Sequence, residues 1–233
     1  MNARLVISFL IILVPVRLPA QSLKQLSIKH TEDFEVSGDA SSVAWKSVEW
    51  ITLEKRKGSL EYGTKAKFLY SDQGIYAFFY CEDKKITATL KEDFADLYKE
   101  DVVELFLWTD ESTPLYFEYE LSPLNYELAI LVPNADGDFF GWKPWHYEDN
   151  RLTRHSAKII KDEKTGAISA WTAEFFIPYA LLKPLRNVPP KKGSQWRINF
   201  YRIDYDEAYT SWVWQPVETN FHDYKNFGVL KFD

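Results

Sequence analysis

Cysteine is nearly missing from this 233-residue chain: Cys81 stands alone, so no internal disulfide can form and the fold must rest on its apolar core. Methionine occurs only as Met1, and the four histidines (His30, His146, His155 and His222) show no metal-ligand spacing. A haem-binding reading wants a Met or His axial pair, and with the initiator as the only Met it is weakened. Clustered Lys and Arg are lacking, and 28 basic against 34 acidic residues give a net charge of −6. An acidic chain without a basic patch is a poor partner for nucleic acid, whose phosphates need clustered cations, or for an anionic membrane surface. No phosphate loop, dinucleotide fingerprint or Gly-x-Ser-x-Gly elbow is present. Internal repeats and low-complexity segments are absent as well.

Long hydrophobic runs are missing except at the start. Asn2-Ala3-Arg4 opens with a positive charge, Leu5 to Val14 is apolar apart from Ser8, and Arg17-Leu18-Pro19-Ala20 ends on a small residue before Gln21. This pattern predicts a secretory signal peptide over residues 1–20, because the apolar run is too short for the roughly 20 residues a membrane-spanning helix needs. Loss of Arg4 and Arg17 with it leaves 26 basic and 34 acidic residues, a net charge of −8. Residues 21–233 are then expected to form one secreted domain, periplasmic or extracellular, with no membrane span.

What is abundant is aromatic: nine Trp, 14 Tyr and 16 Phe, 17% of the chain. Such residues favour strands and also offer flat faces to ligands. The apolar period is mostly two. It predicts strands at Ala66–Tyr70, Ile75–Cys81, Val102–Trp108, Tyr116–Leu121, Tyr126–Val132, His155–Lys161, Ala167–Ile177, Trp196–Ile203 and Phe227–Phe232. Asp162–Gly166 reads as a hairpin loop, and helix is expected only at Phe94–Lys99 and in one turn after Pro178. The expected fold is all-β: a two-sheet antiparallel β-sandwich, jelly-roll-like, with only short helical turns.

Alternation then sorts the side chains. In Val102–Trp108, Val103, Leu105 and Leu107 form one face, whereas Glu104 sits on the other with Val102, Phe106 and Trp108. In Tyr116–Leu121, Glu118 and Glu120 lie opposite Phe117, Tyr119 and Leu121. If the strands are neighbours, Glu104, Glu118 and Glu120 share a face, and Arg202 is the expected counter-charge for burial that would otherwise be costly. An Arg–Glu pair that only stabilises the sheets is the alternative. Tyr98, Trp212, Trp214, Phe221 and His222 are expected on loops beside this face. A pyranose presents apolar C–H faces and hydroxyl edges, so aromatic plates flanked by carboxylates suit it.

Several segments resemble the family 9 carbohydrate-binding modules, in the DOMON-like group of β-sandwiches. Phe34-Glu-Val-Ser-Gly-Asp39 with Trp45 is similar to the family's opening, and Leu69–Tyr76 with Cys81-Glu-Asp83 to its next strand pair. Tyr98-Lys-Glu-Asp101-Val-Val-Glu104-Leu-Phe106 resembles the motif aromatic–x–x–Asp–x–Val–Glu–x–Phe. Trp171 to Pro178 with Glu174, Asn199-Phe-Tyr-Arg202 and Phe221 to Gly228 follow in the family's order. The resemblance implies binding of an oligo- or polysaccharide without cleavage, beside a separate glycoside hydrolase or in an uptake system. It places the sugar slot on Tyr98 and Phe221, both of which stand where the family pattern has Trp. Glu104 matches the hydroxyl-binding glutamate, Glu118 replaces an arginine, and Tyr201 falls at a polar contact. Structural calcium is also implied, with Asp39, Asp72 and Asp83 as acidic loop residues, whereas Asn134–Asp138 reads as a turn.

Two other classes stand beside this reading. A glycoside hydrolase needs two carboxylates flanking the scissile bond, but Asp101 and Glu104 fall on opposite faces of their strand. A DOMON-like domain that binds protein or another small ligand shares the fold expectation. The aromatic segment around Gly141–Tyr147 fits either a wider binding surface or a lid.

Overall fold

Period-two patterning dominates the chain, and strands dominate the computed structural model, which describes residues 22–233 apart from 136, 137, 140, 145, 146 and 184. The predicted leader lies outside the described residues. The strands are β1 (Gln25–His30), β2 (Ile51–Thr52), β3 (Glu54–Lys57), β4 (Thr64–Tyr70), β5 (Gly74–Glu82), β6 (Val102–Trp108), β7 (Leu115–Leu121) and β8 (Glu127–Ala135). They continue with β9 (Asp138–Phe139), β10 (Lys143–Pro144), β11 (Arg154–Lys161), β12 (Ile168–Pro178), β13 (Gln195–Asp204), β14 (Thr210–Val213) and β15 (Gly228–Phe232). Each segment expected from alternation is a strand within a few residues of its predicted ends. The helical turn after Pro178 is α1 (Tyr179–Leu182). Helix fails at Phe94, whose φ of 64° lies in the left-handed region, and only Leu97–Lys99 makes a 3₁₀ turn.

The strands form one continuous hydrogen-bonded path in the order β10-β8-β7-β6-β13-β15-β1-β4-β5-β12-β11. β1 is the joint. Its first part, Gln25–Ile28, pairs with β15, and Lys29–His30 pair with β4, both in parallel register. The antiparallel expectation therefore holds everywhere except at this strand, which was not legible because its sequence, QLSIKH, carries little apolar alternation.

The two halves of the curled sheet meet through aromatic side chains. Phe68 and Phe79 approach Phe200 with ring centroids 4.7 and 6.1 Å apart, and Tyr119 lies 4.6 Å from Phe175. A second apolar cluster, including Phe106, Tyr116, Tyr201, Phe221 and Phe227, covers the outer face of the β6–β7–β13 half. A third, built on Trp45, Leu69, Tyr76, Phe78 and Phe176, covers the outer face of the other half. Three aromatic layers, each burying side chains worth about 1.5–3 kcal/mol apiece, account for most of the aromatic excess. Trp212 and Trp214 belong to the central layer rather than to a binding loop. Trp212 is part of β14, and Trp214 stacks on Phe200 at 5.1 Å.

Glu174 on β12 ties the N-terminal segment to the sheet. Fully buried, its carboxylate accepts hydrogen bonds from the Ser37, Gly38 and Ala40 amides, the Ser37 hydroxyl and the Trp45 indole. Gly38 adopts φ +82°, and a Cβ there would lie 2.5 Å from the Ser156 hydroxyl, so the loop needs glycine. Glu174→Ala would strand these donors. We expect it to lower stability by about 3 kcal/mol, read as a reduced urea midpoint with an unchanged m-value; an unaltered midpoint would show that the loop is held by other contacts.

Candidate functional site

The pleat of β6, β7 and β13 decides what faces outward. Glu104 lies opposite Glu120 and Phe106 opposite Glu118 across β6–β7, while Tyr201 lies opposite Glu104 across β6–β13. Val103, Leu105, Phe117 and Tyr119 point into the central core. Glu104, Glu118 and Glu120 therefore emerge together on the other face, as alternation predicts, and all three are buried.

They line a cleft of about 360 Å³. Tyr98 stands on one wall, presented by the Leu97–Lys99 turn and 37% exposed. That loop is anchored by buried Asp101, which accepts hydrogen bonds from the Thr87 and Tyr205 amides. Tyr205 also donates its hydroxyl to the Tyr98 carbonyl at 3.3 Å. Phe221 contributes another part of the lining; it is only 8% exposed and stacks on Tyr201 at 3.9 Å with rings 12° apart. Trp142, Tyr205 and Tyr209 add aromatic surface, and Arg56, Asn220 and His222 add polar groups.

Two expected site residues are placed elsewhere. Tyr201 is fully buried behind Phe221; its hydroxyl donates to the Phe221 carbonyl and accepts from Asn199. It shapes the cleft without lining it. Arg202, the next residue, points to the opposite face because adjacent strand residues alternate. There it bonds Asp83 at 3.0 Å and Asp204 at 2.6 Å, with the Glu82 carbonyl at 2.7 Å, and lies over the Trp212 ring. Arg202 is thus a closed structural ion pair and not the counter-charge of Glu104.

The cation that does border the cleft is Arg56 on β3, a strand hidden in the charged sequence EKRK. Its Nη2 donates to the Thr219 carbonyl at 2.7 Å, and its guanidinium sits 5.8 Å from the Phe221 ring centre. Tyr205 and Tyr209 were also missed. Both lie in the turn between β13 and β14, where Ile203-Asp-Tyr-Asp-Glu-Ala-Tyr209 carries no strand period. Their position just beyond a recognised strand was the one available signal.

Burial governs the titration of this site. It pushes the Glu118 carboxyl up to about 8 and holds Glu104 and Glu120 well above the usual carboxylate range, with their neighbouring glutamates adding to the rise. Glu118 and Glu120 lie close enough to share a proton. With both ionised, Glu118 Oε2 and both oxygens of Glu120 have no hydrogen bond of good geometry among the described residues, the Tyr98 amide being near Glu120 and His222 Nδ1 lying 3.8 Å from Glu118 Oε2. Burial also lowers His222 to about 4, so at neutral pH it is uncharged. It shares a 2.6 Å hydrogen bond with Tyr116.

The acidic residues considered for calcium do not gather. Asp39 pairs with Lys158, Asp72 with His30, and Asp83 with Arg202. Among the described residues, Asp83, Asp204 and Asp206 bring carboxylate oxygens within 4.8 Å of one another. The Arg202 guanidinium already bonds two of the three, which does not suit a calcium ion needing six to eight oxygens. Asn134 donates to the His222 carbonyl, and Asn134–Ala135 pair with Asp138–Phe139 as a hairpin would; residues 136 and 137 lie outside the described residues. In the aromatic segment, Trp142 reaches the cleft, while 145 and 146 lie outside the described residues.

A pH dependence follows from Glu118. Its folded pKa lies above the unfolded value near 4.5, so the stability it contributes is full below that value and is lost as pH rises through about 8. His222 acts oppositely, its contribution being lost as pH falls from its ordinary 6.5 through about 4. Asp101, raised to about 8 by burial, adds to the Glu118 trend. The melting temperature should therefore fall between pH 6.5 and 8, and Glu118→Gln should flatten part of that slope; parallel wild-type and variant profiles would show that Glu118 does not titrate there.

No family model matches the chain. A curated fungal relative, named "Extracellular protein" in Arthroderma benhamiae, is 29% identical over 143 residues, covering 59% of this chain. The match spans 63% of that relative's length, less than two thirds of it. Among solved structures, a candidate carbohydrate-binding protein from Bacteroides uniformis aligns with a TM-score of 0.74 at 16% identity, over 91% of this chain and all of the other. A family 9 carbohydrate-binding module from Caldicellulosiruptor kristjanssonii, solved with cellotriose, aligns at 0.66 and 15% identity over 90% of this chain and 94% of the module. The same module solved with glucose gives the same score and identity over 96% of the module. Among the described residues no helix is long and apolar enough to cross a membrane. The chain has the fold of the family 9 carbohydrate-binding modules.

Proposed function

We propose that this protein binds carbohydrate without cleaving it, holding a sugar in the cleft between Tyr98 and Phe221. The observation that carries this reading is a floor of buried carboxyl groups with unsatisfied oxygens beneath aromatic walls. Hydroxyl edges would donate to Glu104, Glu118 and Glu120, while Asn220 and Arg56 would meet other hydroxyls from the rim. Tyr98 supplies the accessible aromatic face for the apolar side of a pyranose. The related fold of modules solved with glucose and cellotriose supports the same use.

The carboxyl arrangement favours binding over hydrolysis. Glu104 and Glu120 are cross-strand partners and Glu118 is within proton-sharing reach of Glu120. All three rise from one sheet face, whereas a glycosidase sets its acid and its base or nucleophile on either side of the bond. The protein would then act by bringing a polysaccharide to a separate glycoside hydrolase or an uptake system. Its setting would be outside the cytoplasm, after removal of residues 1–20, with a two-sheet jelly-roll sandwich as the scaffold.

The test is calorimetry of residues 21–233 with cello-, xylo- and manno-oligosaccharides. A single short ligand should bind at roughly micromolar to millimolar Kd. Tyr98→Ala should weaken binding at least about tenfold with little change in melting temperature, since that ring is partly exposed. Phe221→Ala should weaken binding and lower the melting temperature together, because the ring also packs on Tyr201. Binding that survives Tyr98→Ala unchanged would move the sugar out of this cleft.

A further inference from the structure

We propose that the cleft selects a cationic saccharide, one whose sugar unit carries a free, protonated amino group. The proposal rests on the carbohydrate-binding reading and specifies its ligand class.

Charge balance leads there. Elsewhere the protein satisfies buried carboxylates completely. Glu174 accepts five hydrogen bonds, and Asp83 and Asp204 share Arg202. The cleft breaks that habit. Glu120 is fully buried, and among the described residues neither of its oxygens has a hydrogen bond of good geometry, the Tyr98 amide and Glu118 being its polar neighbours; Glu118 Oε2 has only His222 Nδ1 nearby, at 3.8 Å. Both residues border the cavity. Against three carboxyls, the lining offers one permanent cation among the described residues, Arg56, already engaged with the Thr219 carbonyl, and a His222 that burial keeps neutral. A buried carboxylate without a partner is costly, so these groups hold protons, and a ligand ammonium would take the place of a proton that the carboxyl releases. A ligand hydroxyl brings a donor but no charge, whereas an ammonium brings three donors and a positive charge.

A bare metal ion fits less well. Three carboxylates gripping one ion must converge on a point, yet among the described residues the acidic group whose oxygens all lie within 4.8 Å of one another is Asp83–Asp204–Asp206, not the cleft glutamates. An amino group with its flanking hydroxyls on a pyranose spans a wider set of acceptors. The walls suit the same ligand: Tyr98, Tyr205, Tyr209 and Phe221 line the cavity, and aromatic faces attract both cations and pyranose C–H surfaces.

The experiment compares three trimers of one backbone shape by calorimetry at neutral pH, where a carboxyl can pass its proton to buffer as an ammonium binds: β-1,4-linked glucosamine, its N-acetylated form, and cellotriose. The glucosamine trimer should bind at least about tenfold tighter than either neutral trimer. Glu120→Gln and, separately, Glu118→Gln should each cut that advantage several-fold, with circular dichroism checking that each variant is folded. If one variant does not fold, the other decides. Equal or tighter binding of cellotriose or of the N-acetylated trimer would overturn the charge selection and leave the carbohydrate reading intact. An amine preference that persists in the folded Gln variants would also overturn it. No binding by any trimer, with no response to the neutral oligosaccharides above, would remove the carbohydrate reading itself.

Discussion

The candidate site depends on the two-residue pleat of three neighbouring strands, β7, β6 and β13. Side chains there have only two directions. One set, Val103, Leu105, Phe117, Tyr119 and Phe200, fills the central core. The other carries Glu104, Glu118 and Glu120 outward with Phe106, Tyr116 and Tyr201. A slip of one residue would bury the glutamates against Phe79 and Phe175 and expose the leucines. Core burial therefore fixes the register that assembles the cleft, and the acidic floor is a by-product of how strongly the opposite face must be apolar.

Three buried acidic systems show how differently the same side chains can be held. Glu174 is saturated by donors from one loop. Asp83 and Asp204 are neutralised by Arg202 inside a closed pair. Glu118 and Glu120 have no such arrangement and hold their protons instead, with burial driving their affinity for them upward. The first two cases are structural, since every acceptor is used. In the third the carboxyls face a cavity, the feature on which the proposed carbohydrate binding rests.

The aromatic content divides along similar lines. Three layers of rings cover the two halves of the curled sheet and both of its outer faces. Within the outer layer of the β6–β7–β13 half, Phe221 is supported by Tyr201 at stacking distance, so one ring of a pair reaches the cleft while its partner props it from behind. Tyr98 differs in that it projects from a 3₁₀ turn with its face partly open. The accessible plate thus comes from a loop anchored by Asp101, and the fixed plate from the packed interior.

Local patterning by itself determined the main strands, the turn at α1, and the grouping of three glutamates on one face, because alternation is a property of neighbouring residues and needs no distant partner. The ordered motifs from Phe34 to Gly228 were legible as a resemblance to the family 9 modules, and the fold agrees with it. Only the tertiary structure decided what meets those side chains. Arg202 was expected as the counter-charge of the glutamates, yet its odd-even position turned it to Asp204, two residues along its own strand, and to Asp83 from another part of the chain. Arg56, 48 residues before Glu104 in the sequence, reaches the cleft through the pairing of β3 with β14. β1 joins the two halves by parallel pairing with strands from opposite ends of the chain. Contacts of that kind depend on which strands pair and on how the chain closes over long separations, and no local period encodes either.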